Sequence, residues 1–271
     1  MLTATQRAEF DARGFVRLHD VFDHEQAARM RRVVWGELDR RYGIVKDDRT
    51  TWTVRSPSNL KTTKKHRAFS AIGTPELYAV IDELLGADEW TRPAHWGQVM
   101  VTFPIADEAW RVPSKLWHID WFYSNTPEPL FGLKVFAFFG DVRPCGGGTL
   151  VVAGSHRAVE RYVARSEVAK RDDFRANRLR FMQHDPWLRE LARADDPNPR
   201  RNAYFMDDDH DLDGIPVRVV ELTGRPGDVV LAHPWLLHHA APNTASYPRL
   251  MRGKNLHCRA ANWETTKRDG R

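Results

Sequence analysis

The chain has 271 residues, an apolar fraction of 42%, a net charge of +5 and a pI near 9.3. This small and dispersed excess of cations does not by itself indicate a nucleic-acid partner. No apolar run approaches the roughly 18 residues that span a bilayer, and two cysteines are too few for a disulfide framework. We therefore expect a soluble, cytoplasmic protein with no membrane or nucleic-acid partner. Its length suits one domain over residues 1–271, and no pattern indicates its oligomeric state.

The first 95 residues or so are predicted to be helical support for a sheet. Asp23 and Gln26 have the spacing of a capping box, in which each side chain bonds the other's backbone N–H at a helix start. Helices are predicted over residues 4–12, from Asp23 to about residue 42, and over 74–86.

Residues 46–67 are rich in Lys, Arg, Thr and Ser and admit two interpretations. Charge runs of this kind are usually solvated loops. The alternative is a lid that brings cations and Trp52 to an acidic substrate, because long loops in small domains often cover active sites.

Residues from about 96 to 258 predict a strand-rich core. Short apolar runs separated by turn signals are typical of an all-β domain. The polar, charged stretch 157–213 interrupts them and is predicted to be an insertion over the rim of a barrel. About eight strands are expected, near residues 98–104, 116–123, 133–141, 149–152, 217–222, 229–233, 236–241 and 249–258.

The stretch Trp117-His118-Ile119-Asp120-Trp121 carries the first sign of chemistry. Residues i and i+2 of a strand share a face, so His118 and Asp120 are expected to project together. Alone, such a pair is more often a strand histidine beside a solvated aspartate than a metal site. Leu237-His238-His239 offers a third metal ligand far along the chain. Two imidazoles and a carboxylate form the facial triad of non-haem Fe(II) oxygenases, which leaves positions open for other ligands.

Arg249 follows His238 by eleven residues and opens the next predicted strand. A hairpin would bring both into one barrel mouth, where an arginine suits bidentate capture of a carboxylate. A dicarboxylic cosubstrate would then chelate the metal at one end and bind Arg249 at the other. A zinc hydrolase of cupin-like fold and a non-catalytic barrel that binds a metal or ligand are the alternatives.

Three segments together resemble the phytanoyl-CoA dioxygenase family. They are His118-x-Asp120, the Gly-Gly-Gly-Thr-Leu-Val-Val-Ala-Gly-Ser-His run at 146–156, and His238-His-Ala-Ala-Pro-Asn243 with Arg249. The resemblance implies a mainly β fold, a double-stranded β-helix of jelly-roll or cupin-like type with flanking N-terminal α-helices. It also implies Fe(II), 2-oxoglutarate and O₂ as cofactor and cosubstrates.

The same resemblance implies roles for single residues. His118, Asp120 and His238 match the iron ligands, and Arg249 matches the anchor of 2-oxoglutarate. His238 is preferred to its neighbour because the family's distal histidine stands five residues before the Asn and eleven before the Arg. Gln98 and Thr149 are further candidates for contact with 2-oxoglutarate.

The implied activity is hydroxylation, or desaturation, of an unactivated C–H bond in a small molecule or secondary metabolite. Succinate and CO₂ would be released. Family halogenases have a small residue where Asp120 stands, so halogenation is not expected. The basic segment allows an anionic substrate.

Overall fold

Two antiparallel sheets face each other in the computed structural model, which describes residues 1–104, 109–120, 130–165, 174–194 and 198–259. Within these residues the strands are β1 Phe15–Leu18, β2 Gln98–Thr102, β3 Gly132–Phe138, β4 Thr149–Ala153, β5 His210–Leu212, β6 Ile215–Leu222, β7 Val229–Ala232, β8 His238–Ala240 and β9 Arg249–His257. The larger sheet has the order β1-β7-β3-β9-β2, and the smaller sheet has the order β5-β6-β4-β8. This arrangement is the mainly β, double-stranded β-helix core that the resemblance implied.

Helices flank both sheets. Asp23 accepts the backbone N–H of Gln26 at 2.6 Å, and Gln26 returns a bond to the Asp23 N–H at 2.8 Å, so the predicted capping box is confirmed. Among the described residues, no helix has both the length and the apolar character needed to cross a bilayer. The α-helices are α1 Ala4–Arg13, α2 His24–Tyr42, α3 Lys61–Lys64, α4 Pro75–Leu85, α5 Ser155–Arg165, α6 Phe174–His184, α7 Pro186–Leu191 and α8 Arg201–Met206.

The strand period of two divides the core into layers. On β3, Leu133 and Val135 point outward and pack with α1, α2 and α4, whereas Phe136 and Phe138 point inward between the sheets. Lys134 shares this inward face. An almost wholly apolar strand is therefore buried on both sides, as its composition predicted.

Two predictions about the core are wrong. Residues 116–120 form no strand, and only an isolated bridge between His118 and His238 joins them to the smaller sheet; residues 121–123 lie outside the described residues. The described helices of the insertion 157–213 lie over a sheet face and not over the rim. Helices α5 to α8 pack on the outer face of the smaller sheet, because Leu150, Val152 and their neighbours on β6 need an apolar cover there.

The basic segment 46–67 packs against the outer layer of helices and the larger sheet. The Trp52 ring lies 6.1 Å from Trp35 and 5.1 Å from Phe103, centroid to centroid. Arg252 of β9 donates to the backbone carbonyls of Thr63 and Lys64. Trp52 therefore packs against the outer core, and these contacts give no support to the alternative in which the segment is a lid.

Two buried histidines make the free energy of unfolding depend on pH. The ring centroids of His156 and His233 lie 4.9 Å apart under α1, and Nδ1 of His156 is buried without a hydrogen-bond partner. Burial lowers the pKa of His156 from 6.5 to about 4, and it also lowers the pKa of His233. Between these two pKa values the unfolded chain binds a proton at His156 and the folded chain does not. The contribution of His156 to the free energy of unfolding is therefore present above pH 6.5 and is lost as the pH falls toward 4.

We expect His156 alone to reduce the free energy of unfolding by roughly 2 kcal/mol between about pH 7.5 and about pH 5. Urea unfolding at several pH values measures this slope. His156→Gln should unfold with a shallower pH dependence over the same range, whatever its absolute stability. Equal slopes for the two proteins would contradict the assignment.

Candidate metal centre

His118, Asp120 and His238 meet at one end of the barrel. One potential ligand atom from each lies within 4.8 Å of the others. The Asp120 Oδ1 atom is 3.6 Å from Nε2 of His118 and 3.6 Å from Nε2 of His238. The backbone N–H of His118 donates to the His238 carbonyl at 3.1 Å, and the N–H of His238 donates to the His118 carbonyl at 2.9 Å. This bridge holds the two ring centroids 4.2 Å apart.

Both histidines are oriented by carbonyls of their own chain. Nδ1 of His118 bonds the Leu116 carbonyl at 2.8 Å, and Nδ1 of His238 bonds the Leu236 carbonyl at 2.9 Å. A carbonyl accepts, so Nδ1 carries the proton in each ring and Nε2 keeps a lone pair. Leu116 has a φ of 64°, a strained value for a leucine, and its carbonyl is the one that orients His118.

Burial and neighbouring charges keep His238 and Asp120 in the protonation states that bind a metal. Burial, followed by the charge of Lys134, lowers the pKa of His238 to about 4, so this imidazole is neutral at neutral pH. Burial raises the pKa of Asp120, but hydrogen bonding to His238 and the charge of Lys134 lower it more, so Asp120 is ionised. His118 is the most exposed of the three, at 39% of its side chain, and marks the side open to solvent.

The donor set fits iron. Two neutral imidazole nitrogens and one carboxylate oxygen converge, and no thiolate belongs to the cluster in the described part of the chain. His118, Asp120 and His238 would together hold the metal, because one ligand atom of each already lies within 4.8 Å of the others. The ammonium of Lys134 contacts both Asp120 and His238.

Arg249 lies on the inner face of β9, and 5% of it is exposed. Its Nη1 donates to the Gly147 carbonyl at 2.7 Å, whereas its Nε is buried without a partner. Burial lowers the pKa of Arg249 to about 10, and the nearby charge of Glu221 opposes this, so the guanidinium remains charged at neutral pH. A buried cation with an unused N–H is suited to an anionic ligand.

The loop beneath Arg249 is itself ordered by polar contacts. The Glu221 carboxylate accepts the backbone N–H groups of Cys145 at 2.7 Å and Gly148 at 2.9 Å. Asn243 donates to the carbonyls of Thr102 and Tyr247, and so ties the end of β2 to the turn before β9. The Gly-rich segment and Asn243 therefore shape the floor on which Arg249 rests.

The other predicted residues are placed less decisively. His239 pairs with Leu150 and lies 5.6 Å from the Trp117 ring, so it faces away from the cluster as strand alternation predicted. Thr149 is buried opposite Ala240, on the same inward face as His238. Gln98 is exposed at the start of β2. The roles of Gln98 and Thr149 stay predictions.

Two polar residues at the site were missed from sequence. Lys134 donates to Oδ2 of Asp120, and Asn255 donates to the same oxygen at 3.2 Å. A signal for Lys134 was present, because it is the one charged residue between Gly132 and Gly140. Asn255 gave no comparable signal, since asparagine in the last strand has many structural uses.

Fold and site together define the class of Fe(II)- and 2-oxoglutarate-dependent oxygenases. The family profile of phytanoyl-CoA dioxygenase matches residues 10–251. The chain therefore belongs to the phytanoyl-CoA dioxygenase family, and its His118, Asp120 and His238 form a group that could hold a metal ion. A comparison with curated proteins gave no match.

Solved structures of similar fold cover nearly the whole chain. AviO1 from Streptomyces viridochromogenes has 17% identity and a TM-score of 0.54, over 96% of this chain and 98% of that one. HygX from Streptomyces hygroscopicus, with nickel and 2-oxoglutarate bound, has 17% identity and a TM-score of 0.52, over 95% and 87%. The epimerase SnoN, with Fe³⁺, alpha-ketoglutarate and nogalamycin RO, has 16% identity and a TM-score of 0.51, over 93% and 82%. At identities this low, these comparisons show a shared fold.

Proposed function

We propose that this protein is an oxygenase that hydroxylates, or desaturates, an unactivated C–H bond of a small-molecule or secondary-metabolite substrate, with release of succinate and CO₂. The observation that carries the proposal is the convergence of Nε2 of His118, Nε2 of His238 and Oδ1 of Asp120. Three protein ligands leave three positions on a six-coordinate metal, enough for a bidentate 2-oxo acid and O₂.

Each side chain then has a task. His118, Asp120 and His238 hold Fe(II), which supplies the redox chemistry together with 2-oxoglutarate and O₂. Arg249 binds the distal carboxylate of 2-oxoglutarate through its unused N–H, and Gln98 and Thr149 are further candidates for contact with it. Carbonyls of Leu116 and Leu236 keep the histidine tautomers that bind metal.

An anionic substrate is the second part of the proposal. Its support is the basic segment 46–67, in which the side chains of Lys61, Lys64 and Lys65 are exposed. A positive surface of this kind raises the local concentration of anions and speeds their association. Turnover of carboxylated or phosphorylated substrates should therefore weaken with added salt more than turnover of neutral analogues.

The decisive experiment uses Fe(II) and 2-oxoglutarate. Anaerobic addition of 2-oxoglutarate to the Fe(II)-loaded protein should give a visible charge-transfer band, and admission of air should give succinate. Product analysis then separates hydroxylation from desaturation and from epimerisation, the reaction named for SnoN. Metal binding without the band or succinate, with every candidate substrate, would indicate a non-catalytic binding protein instead.

A further inference from the structure

The two oxygens of Asp120 have different surroundings. Oδ1 is 3.6 Å from Nε2 of each histidine. Oδ2 accepts one hydrogen bond from the Lys134 ammonium and a second, at 3.2 Å, from Nδ2 of Asn255. One oxygen thus faces the metal position, and the other is held by the barrel wall.

The fold places these two donors side by side. Lys134 on β3 and Asn255 on β9 are directly paired across the antiparallel ladder, so their side chains share the inward face. Both strands lie inside the larger sheet rather than at its edge. The donors therefore stand on a rigid surface, whereas Asp120 itself lies in an irregular segment outside any strand.

Lys134 is held in place by its surroundings. Only 16% of its side chain is exposed, and its ammonium lies 5.5 Å from the Phe136 ring centroid. A buried ammonium is unfavourable unless it is paired. Its partners are Oδ2 of Asp120 and, at 2.7 Å, Nε2 of His238. A metal would take the lone pair of that Nε2, and Lys134 would then keep Asp120 as its partner.

We propose that Lys134 is a positioning residue that, together with Asn255, restricts Asp120 to one-oxygen coordination of the metal through Oδ1. This inference rests on the proposed function. The way Asp120 binds decides how many coordination positions of the metal stay open. A carboxylate that bound through both oxygens would leave two of six positions, and 2-oxoglutarate would fill both. With Oδ2 held away, one position remains open beside the bound cosubstrate.

The test measures how tightly nitric oxide binds at that remaining coordination position. Fe(II) and 2-oxoglutarate are added anaerobically to the wild type and to Lys134→Met, and binding of nitric oxide is followed by the electron paramagnetic resonance signal of the nitrosyl complex. We expect Lys134→Met to keep the charge-transfer band of 2-oxoglutarate but to bind nitric oxide about tenfold or more weakly, the usual scale for loss of a residue that orients a metal ligand.

Matched variants separate positioning from charge and from folding. Lys134→Gln keeps a donor without the charge and should recover part of the affinity for nitric oxide. Asn255→Leu removes the second bond to Oδ2 with no change in charge, and should weaken nitric oxide binding in the same direction. Lys254→Met alters a lysine next to Asn255 that faces the outside of the sheet, and should match the wild type.

Two negative results have different meanings. If the wild type gives no charge-transfer band, the proposed function fails and the positioning role fails with it. If the wild type gives the band and Lys134→Met binds nitric oxide as tightly as the wild type does, the positioning role is overturned while the proposed function stands.

Discussion

Replacing His238 with alanine is expected to reduce 2-oxoglutarate-dependent succinate formation to the background of the metal-free protein. His238 is buried, neutral and directed at Asp120 through Nε2, so under the proposed assignment its loss removes one of three metal ligands. Titration with Fe(II) or Mn(II) should show the same loss in metal affinity. Turnover and metal titration together distinguish a missing ligand from a slower reaction.

The adjacent histidine is the matched control for this prediction. His239 lies one residue further along β8, but its ring packs on Trp117 outside the barrel. His239→Ala should keep metal binding and retain turnover within about tenfold of the wild type, because it removes packing and no ligand. If His239→Ala abolished turnover and His238→Ala did not, the register of β8 at the metal would be wrong.

Replacing Arg249 with leucine is expected to weaken 2-oxoglutarate binding far more than metal binding. Loss of one partner from a buried, hydrogen-bonded charge pair typically costs about 2 to 5 kcal/mol, which is a loss in affinity of about thirtyfold or more. The metal ligands are untouched, so the affinity for Mn(II) should stay within about threefold. Calorimetric titration with Mn(II), and then with 2-oxoglutarate, measures both constants on one sample.

Arg252 supplies the control for a buried arginine on the same strand. It faces the opposite side of β9, stacks 3.6 Å above the Phe69 ring centroid, and donates to carbonyls of the basic segment. Arg252→Leu should lower the stability of that segment and leave the affinity for 2-oxoglutarate unchanged. Equal losses of metal and 2-oxoglutarate in Arg249→Leu would contradict the anchor assignment.

Parts of the site follow from local rules. Strand alternation turns His238 and His239 to opposite faces of β8. His118 and Asp120 also meet as predicted, but residues 116–120 form no strand, so the strand rule is not the reason. The capping box at Asp23 is equally local, since both of its bonds join residues three apart. Such features depend on a few covalently neighbouring residues, and the sequence predicts them well.

Other features depend on partners that are distant in the chain. The pairing of Lys134 with Asn255 is set by the register of β3 on β9, and no local pattern encodes that register. The described helices of the insertion, α5 to α8, cover the smaller sheet because the outward residues of β4 and β6 are apolar. Trp52 lies in the outer core for the same reason: Trp35 and Phe103 offer an apolar surface that composition alone does not locate.

The sequence by itself determined the family, the strand-rich core and the residue types of a triad with a distant arginine. The structure decided how that triad is held. Carbonyls of Leu116 and Leu236 fix the two histidines, and two neighbouring strands hold one oxygen of Asp120. The physical reason is that ligand identity is a property of single side chains, whereas ligand orientation depends on hydrogen bonds that only the folded chain brings within reach.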